Sequence, residues 1–343
     1  MKLVHAKDIM HRRYVFPVGQ GGFACEMIGD YVVVYDCGSL TSNSMVESCI
    51  EHLSTITDHV DILFISHFDT DHVNSIRYLV SSVQVKKAVM SLIPNELKAA
   101  YGVYTNGAYT SIVGLLTGND IEIIEVGGEE DSRLLMPFQN LWEWIAKSMM
   151  NKADFASVTT HMQAAGIDIN RLNDASYLES EKVDINNAFK TVFGAKGPNT
   201  KGLIMLSQHC KDVKVRKAEI FKGCRIGCMS FRMEAECDVS SCLYVGDADL
   251  KNRNNSKKVQ AFLNQNRTEK PLLLMQIPHH GSQYNIGAQF ETEFPAKYYF
   301  VNDEDTKRLQ KSSDVFGSLM NKKNLLVSRG LCQDLICTIA KVG

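Results

Sequence analysis

The sequence predicts an α/β fold in which functional side chains follow the carboxyl ends of strands. Short apolar runs typical of buried strands recur along the chain, and segments with helical periodicity separate several of them. Three of these runs lead directly into His or Asp residues, at His67, Asp247 and His279. Because ligands of α/β proteins bind beyond the carboxyl ends of strands, these side chains are the first candidates for a site.

Local patterns predict the individual elements. Gly29 and Asp30 separate two strand-like runs, which indicates a β-hairpin. Residues 44–53 have helical periodicity, and a second helical face lies after residue 72. That face consists of Val73, Ile76, Leu79, Val80 and Val83. Strands are predicted at residues 14–18, 23–28, 31–38, 62–65, 203–207, 242–245, 272–277, 297–301, 325–327 and 335–339.

Residues 136–195 differ in character from the rest. A helical region is predicted to begin at residues 141–149, and further helices at 155–165 and 183–192. We therefore predict a single domain over residues 1–343, with a helical insertion at about 136–195. The insertion forms either a lid or wall over the site, or a plain helical connection packed on the scaffold.

Composition excludes several classes of protein. The chain has 343 residues, is 45% hydrophobic and carries a net charge of −2, so it can bury a large core and has no general attraction for polyanions. It shows neither a secretory signal nor an apolar run long enough to span a membrane. Its ten cysteines include Cys224 and Cys228, which lack CxxC spacing. We predict reduced thiols and a cytoplasmic location.

Residues 67–72, His-Phe-Asp-Thr-Asp-His, are the most informative segment of the chain. Packing does not explain two imidazoles and two carboxylates in one turn, because unpaired buried carboxylates are costly. A divalent cation would neutralise the carboxylates and accept a nitrogen lone pair from each imidazole. The alternative is a solvated turn that is rich in His and Asp. With Asp247 and His279 at two other strand ends, the pattern predicts a hydrolase with two metals.

These motifs together resemble the metallo-β-lactamase fold and, within it, the ComEC-like branch, which has HxDxDH where most members have HxHxDH. The resemblance covers residues 14 to about 85 and 199 to about 340. The motifs that carry it are Val18-Gly19-Gln20-Gly21, Asp36-Cys37-Gly38, residues 67–72, Gly246-Asp247 and Pro278-His279-His280-Gly281-Ser282. It implies a four-layer αβ/βα sandwich with the metals at one edge.

The resemblance also implies a role for each site residue. The first metal would take His67 and Asp69. The second would take Asp71, His72 and His279, with Asp247 bridging the two ions. Asp36 would orient the ligands from behind. For catalysis, Asp69 or Asp71 would orient the nucleophile, and His280 would contact substrate or donate a proton.

The chain departs from the family pattern at two places. Val73-Asn74-Ser75 stands where the branch continues with x-Gly-Gly, so the entry to the helix differs. The middle histidine of the superfamily, a ligand of the first metal, has no clear counterpart. His161 and His209 are the histidines in that interval, and each is also explained as a solvated or packed residue.

The predicted activity is hydrolysis by a water that two divalent ions activate. Asp69 adds an oxygen ligand where most of the family has histidine, which favours harder ions, so Mn²⁺ joins Zn²⁺ as a candidate. A phosphodiesterase or nuclease acting on a small-molecule or nucleic-acid phosphodiester is the first expectation. The alternatives are a hydrolase of an ester, lactone or amide, and a non-catalytic metal-binding regulatory protein. Two basic runs, Lys211, Lys214, Arg216, Lys217 and Lys251, Arg253, Lys257, Lys258, would either contact phosphates or be solvated.

Overall fold

The computed structural model describes residues 9–127, 134–194, 197–213, 215–222, 232–303, 319, 325–329 and 336–342. The strands of these ranges are β1 (Ile9–Val15), β2 (Ala24–Ile28), β3 (Tyr31–Tyr35), β4 (His59–Phe64), β5 (Gln84–Ser91), β6 (Glu122–Val126), β7 (Leu134–Phe138), β8 (Trp142–Ser148), β9 (Leu203–His209), β10 (Val215–Lys222), β11 (Arg232–Cys237), β12 (Cys242–Tyr244), β13 (Leu272–Gln276), β14 (Ala296–Asp303), β15 (Leu325–Arg329) and β16 (Ile336–Val342). The helices are α1 (Asn43–Ile56), α2 (Thr70–Val73), α3 (Ile76–Ser82), α4 (Lys98–Tyr104), α5 (Ala108–Gly118), α6 (Lys152–Ala164), α7 (Ala175–Ser180), α8 (Lys182–Phe193), α9 (Arg253–Asn266) and α10 (Phe290–Glu293).

The strands form two sheets. The first has the order β11-β10-β16-β1-β2-β3-β4-β5-β6, and the second has the order β15-β14-β13-β12-β9-β8-β7. The strands that precede the predicted site residues run parallel to a neighbour in each sheet: β4 lies between β3 and β5, and β12 pairs with β13. Their carboxyl ends therefore meet at one edge of the molecule.

Alternation along the strands divides the interior into three apolar layers. In β3, Val32 and Val34 face the helices of the first sheet, while Val33 and Tyr35 face the second sheet. On the far side of the second sheet, Met275 packs in the same cluster as Phe262 of α9. Helices, sheet, sheet and helices thus form four layers, and the α/β four-layer sandwich predicted from the sequence is confirmed.

Most predicted elements are present. The hairpin at Gly29 and Asp30 joins β2 to β3, with Ile28 opposite Tyr31. The helix predicted at 44–53 is α1, and the predicted helical face after residue 72 is divided between α2 and α3. The helices predicted at 155–165 and 183–192 correspond to α6 and α8. Residue 335, Cys224, Cys228 and Lys214 of the sequence predictions lie outside the described residues.

The prediction that residues 141–149 begin a helical region is wrong. They contain β8, which pairs antiparallel with β9 along its whole length. Trp142 and Trp144 point into the layer between the sheets, whereas Ile145 packs on the outer face of the second sheet. A strand that is apolar on both faces loses its period of two, and its sequence then imitates a buried helix. The helical part of the segment begins only at Lys152.

A charged cluster is buried between the two sheets. Arg13 of β1 donates from Nε to Glu26 Oε1 of β2 at 2.6 Å, and both residues are almost fully buried. Glu26 also accepts hydrogen bonds from Tyr244 at 2.7 Å and from Trp144 at 2.8 Å, across the gap between the sheets. Burial raises the pKa of Glu26, but the Arg13 guanidinium, His11 and the Ser207 hydroxyl together outweigh burial, and the pKa lies well below its usual range. The cluster fixes how the sheets face each other.

Replacing Arg13 with Met should destabilise the fold by about 3–5 kcal/mol, because the Glu26 carboxylate stays buried without its cation. Arg12→Met is the matched control, since Arg12 lies on the same strand and is exposed. We expect that variant to change the free energy of unfolding by less than about 0.5 kcal/mol. Urea unfolding of both variants measures the difference, and equal midpoints would show that the cluster contributes little.

Two further sequence predictions concern the chain as a whole. Among the helices that the structure describes, none has the length and apolar character needed to cross a membrane. Among the described residues, Cys25, Cys37, Cys49, Cys210 and Cys242 are free thiols. Cytoplasmic location stays a prediction.

Candidate metal centre

Four strand ends bring the predicted site residues together. Asp36 follows β3 and His67 lies just beyond β4, both in the first sheet. From the second sheet, Asp247 lies just beyond β12, and His279 follows β13. Asp36, His279 and His280 all have a left-handed backbone, with φ between 49° and 56°, which residues other than glycine rarely adopt. The surrounding structure imposes this conformation, and such backbone strain concentrates at functional sites.

The carboxylate of Asp247 lies at the centre of the group. Its Oδ1 is 3.3 Å from His72 Nε2, and its Oδ2 is 3.8 Å from His67 Nε2. His279 Nε2 approaches the same Oδ2 to 3.7 Å. Side chains from both sheets therefore converge on one point, as a bridging carboxylate requires.

The converging atoms fit a metal ion better than they fit one another. His67 Nε2, His72 Nε2 and Asp247 Oδ1 are buried, and none has a hydrogen-bond partner in the described part of the chain. Buried polar atoms are almost always paired, so three unpaired ones within a few ångströms call for a missing partner. A divalent cation accepts lone pairs from all three. Nitrogen and oxygen donors of this kind suit Zn²⁺ and Mn²⁺.

A second group of possible ligands adjoins the first. The ligand atoms of His67, His72 and Asp247 lie within 4.8 Å of one another, and so do those of Asp71, His72 and His280. His280 Nε2 is 3.1 Å from Asp71 Oδ2. The described residues thus offer two neighbouring clusters that share His72, whose Nε2 can be a ligand of one ion only.

The far nitrogen of each ring is held by a fixed partner, which leaves Nε2 to face the centre. Asp36 Oδ2 is 2.7 Å from His72 Nδ1, and Ser66 Oγ is 2.9 Å from His67 Nδ1. In the second sheet, the Asn302 carbonyl oxygen is 3.1 Å from His280 Nδ1. Such partners set the tautomer and orientation of metal-binding histidines. Asp36 is fully buried and also accepts from the Ser66 amide at 2.7 Å, so the orienting role that the resemblance implied has a geometric basis.

Gly22 permits the close contact between Asp36 and His72. A Cβ at this position would lie 2.8 Å from His72 Nδ1 and 2.9 Å from Asp36 Cβ. Neither neighbour can withdraw, because both are buried in the site. The glycine-rich turn before β2 therefore leaves the space that the contact between Asp36 and His72 requires.

The electrostatic field of the site favours a cation. Burial lowers the pKa of His72, but the carboxylates of Asp36, Asp247 and Asp71 outweigh burial and hold that pKa well above its usual value. Burial raises the pKa of Asp247, but the imidazoles of His72, His67 and His279 outweigh it and hold the pKa well below its usual range. The pKa of Asp71 falls to about 2 despite burial, chiefly because of His72. The carboxylates that raise the pKa of His72 would equally stabilise a divalent ion, which competes with the proton for Nε2.

The structure separates the two adjacent histidines more sharply than the sequence did. The His280 side chain is 5% exposed and lies against Asp71, while the His279 side chain is 37% exposed and lies against Asp247. From the resemblance we expected His279 to complete the second metal with Asp71 and His72, and His280 to meet the substrate. That assignment stays a prediction, but the geometry favours the opposite order.

Asp69 is the most accessible of the predicted ligands, with its side chain 45% exposed. Its Oδ2 lies 3.8 Å from His67 Nε2 and accepts a hydrogen bond from Asn199 Nδ2. Asn199 lies in a short 3-10 turn, Pro198–Lys201, immediately before β9. Asn199 therefore lies beside the cluster of His67, His72 and Asp247. The sequence around it is polar and gave no signal that it would contact a site residue.

The two candidates for a middle histidine lie elsewhere. His209 pairs with Glu269, with Nε2 and Oε1 3.0 Å apart, and its Nδ1 is 2.8 Å from the Cys210 carbonyl oxygen. His161 is exposed on α6. Each is thus the packed or solvated residue that the sequence allowed.

Asn285 is a further residue that the sequence did not single out. It donates to the Asp247 carbonyl oxygen at 2.9 Å, and its Oδ1 is 3.1 Å from His279 Nδ1.

A cavity of about 590 Å³ opens beside Asp69. The turn between α4 and α5 forms one wall, and α8 forms another. Helix α8, from the helical segment after β8, therefore lines a cavity beside the candidate metal centre, and a role of the whole segment as a lid or wall stays a prediction. Burial, together with the nearby Asp69 carboxylate, raises the pKa of Tyr104 in that wall to about 12.

The structure thus defines an α/β sandwich of two sheets with a buried His and Asp centre at one edge. No protein-family model matches the sequence, and no curated protein does. Among solved structures, the chain is similar to YhfI, a metallo-β-lactamase fold protein from Bacillus subtilis, with 10% identity, coverage of 94% of this chain and 97% of that one, and a TM-score of 0.44.

Two other solved structures have comparable coverage. A diphosphatase from the PhnP family has 8% identity, coverage of 97% and 99%, and a TM-score of 0.41. MEM-A1, a subclass B3 metallo-β-lactamase from a soil metagenome library, has 10% identity, coverage of 91% and 92%, and a TM-score of 0.38. These likenesses are distant and concern the fold alone. Membership of the ComEC-like branch stays a prediction.

Proposed function

We propose that this protein is a metal-dependent hydrolase that cleaves a phosphodiester with a water activated by two divalent ions. The observation that carries the proposal is the set of buried, unpaired ligand atoms of His67, His72 and Asp247. A structural role for them would require a partner that the described residues do not provide. A pair of bound ions supplies a nucleophile at neutral pH and polarises the bond that is cleaved.

The ligand assignment that we propose follows the two clusters. His67, Asp247 and Asp69 would hold the first ion. Asp71, His72 and His280 would hold the second, with Asp247 shared between the two. Asp36 and Ser66 fix the rings from behind, through the contacts of 2.7 Å and 2.9 Å. The second cluster, formed by Asp71, His72 and His280, supports a count of two ions.

The chain's own residues would then divide the remaining work. Asp69 is partly exposed and oriented by Asn199, so it is placed to orient the attacking water and accept its proton. Asp71 is buried and ionised, which suits a ligand better than a proton acceptor. His279 presents Nε2 at the accessible side while Asn285 holds Nδ1, so it is placed to donate a proton to the leaving group.

A phosphoryl substrate suits this centre best. Asp69 gives the first ion an oxygen ligand, which favours hard ions such as Mn²⁺. A phosphodiester carries negative charge on its oxygens, so it gains more from two cations than a neutral ester or lactone does. Whether the natural substrate is a nucleic acid or a small molecule depends on what the adjoining cavity accepts.

The test is hydrolysis by protein loaded with Zn²⁺ or Mn²⁺. We expect bis(4-nitrophenyl) phosphate to be cleaved, the activity to be lost with a chelator, and elemental analysis to find two metal ions per chain. Hydrolysis of a lactone or thioester in place of any phosphodiester would support the alternative hydrolase. One ion or none per chain, with no hydrolysis, would support a non-catalytic metal-binding protein.

A further inference from the structure

The cavity beside Asp69 has features of a binding site in its own right. Its volume of about 590 Å³ lies in the range of small-molecule pockets and is far too small for a duplex. Asp69 lines it and is also 3.8 Å from His67 Nε2, so the cavity is continuous with the metal centre. A substrate cleaved at the centre would extend its remaining part into this space.

The wall provided by α8 carries two polar side chains one helical turn apart, Asn186 and Lys190. Lys190 is exposed, and no carboxylate among the described residues forms an ion pair with it. Asn186 Oδ1 is buried and has no hydrogen-bond partner in the same part of the chain. Lys190 therefore presents a cation to this face of the cavity, and a ligand with an anionic group would pair with it.

The other lining residues add an apolar surface and small polar groups. Phe68 and Tyr104 line the cavity together with Thr105 and Ser111. The orientation of Tyr104 is fixed because its ring packs against Phe189 of α8, with centroids 5.0 Å apart. Aromatic surface beside hydrogen-bonding groups and a cation is the combination that receives a sugar or base with an attached phosphate.

We propose that this cavity binds the part of the substrate beyond the scissile phosphodiester, and that Lys190 selects substrates with a second anionic group, such as a terminal phosphate. The substrate class is then a small nucleotide or a single-stranded end. This inference rests on the proposed hydrolysis, and it assigns to the helical segment a role in substrate choice.

The test compares two chromogenic substrates that differ in one phosphate: the 5′-(4-nitrophenyl) ester of thymidine 3′,5′-bisphosphate, and the 4-nitrophenyl ester of thymidine 5′-monophosphate. We expect Lys190→Gln to lower kcat/KM roughly fivefold for the first substrate and less than about twofold for the second, as for the loss of one exposed ion pair. Lys182→Gln on the same helix is the control. Lys182 pairs with Glu179 at 3.7 Å and does not line the cavity, so this variant should leave both values unchanged.

Equilibrium binding separates this inference from the proposed function. Thymidine 3′-monophosphate should bind metal-free wild-type protein more tightly than the Lys190→Gln variant, as measured by calorimetry. If that difference is found but no phosphodiester is ever hydrolysed, the cavity assignment stands and the proposed reaction is wrong. If phosphodiesters are hydrolysed and Lys190→Gln changes neither the substrate ratio nor the binding, the cavity assignment is wrong.

Discussion

Asp247→Asn should lower kcat/KM for a phosphodiester by roughly 10³-fold or more, because the amide removes the negative charge that would bridge the two ions. The carboxylate approaches His72 Nε2 to 3.3 Å and His67 Nε2 to 3.8 Å, so it lies close to the proposed ligands of both ions. The variant should also bind fewer than two ions per chain. Steady-state kinetics and elemental analysis of the same preparation measure both effects.

Asp249→Asn is the matched control for this experiment. Asp249 lies in the same loop, where its Oδ1 accepts from the amides of Lys251 and Asn252, both at 3.1 Å. An asparagine keeps that oxygen, so we expect activity and metal content to remain close to wild type. Full activity with two ions in Asp247→Asn would place the catalytic centre elsewhere.

His280→Ala should lose one of the two ions and about 10²- to 10³-fold in kcat/KM, since a ligand and the partner of Asp71 disappear together. His279→Ala should keep both ions, because this ring is more exposed and belongs to neither cluster of mutually close ligand atoms. The effect of His279→Ala should instead fall on kcat, and least with substrates whose leaving group needs no proton. Elemental analysis of the two variants in parallel distinguishes these expectations.

His161→Ala serves as the control for the histidine pair, because His161 is exposed on α6. The opposite result, with an ion lost from His279→Ala and both retained in His280→Ala, would favour the assignment implied by the family motif. In that case His280 would be the residue that meets the substrate.

The parts of the structure that could be predicted are those where local sequence dictates local structure. Strands β4, β12 and β13 are apolar runs that end in ligand residues, and each places its ligand at the same edge. The two strand-like runs on either side of Gly29 and Asp30 predicted the hairpin. Such signals need no knowledge of distant contacts.

Other features depend on packing that a single sequence does not display. Strand β8 is apolar on both faces because its partners cover it from both sides, so its period could not be recognised. Asn199 donates a hydrogen bond to Asp69, although the two residues are far apart in the sequence. No predicted strand ends just before Asn199, so the sequence pattern did not indicate a site residue there. The choice between His279 and His280 depends on their left-handed backbone, which turns adjacent side chains in different directions.

Because the site is divided between two sheets, metal binding would be coupled to the stability of the whole protein. The first sheet alone supplies His67 and His72, while Asp247 and His280 arrive only with the second. Bound ions would therefore stabilise the packing of the two sheets, so that loss of the ions and separation of the sheets would be thermodynamically linked. A cell starved of the metal would then expose more of this chain to proteases, and metal supply would set its abundance as well as its activity.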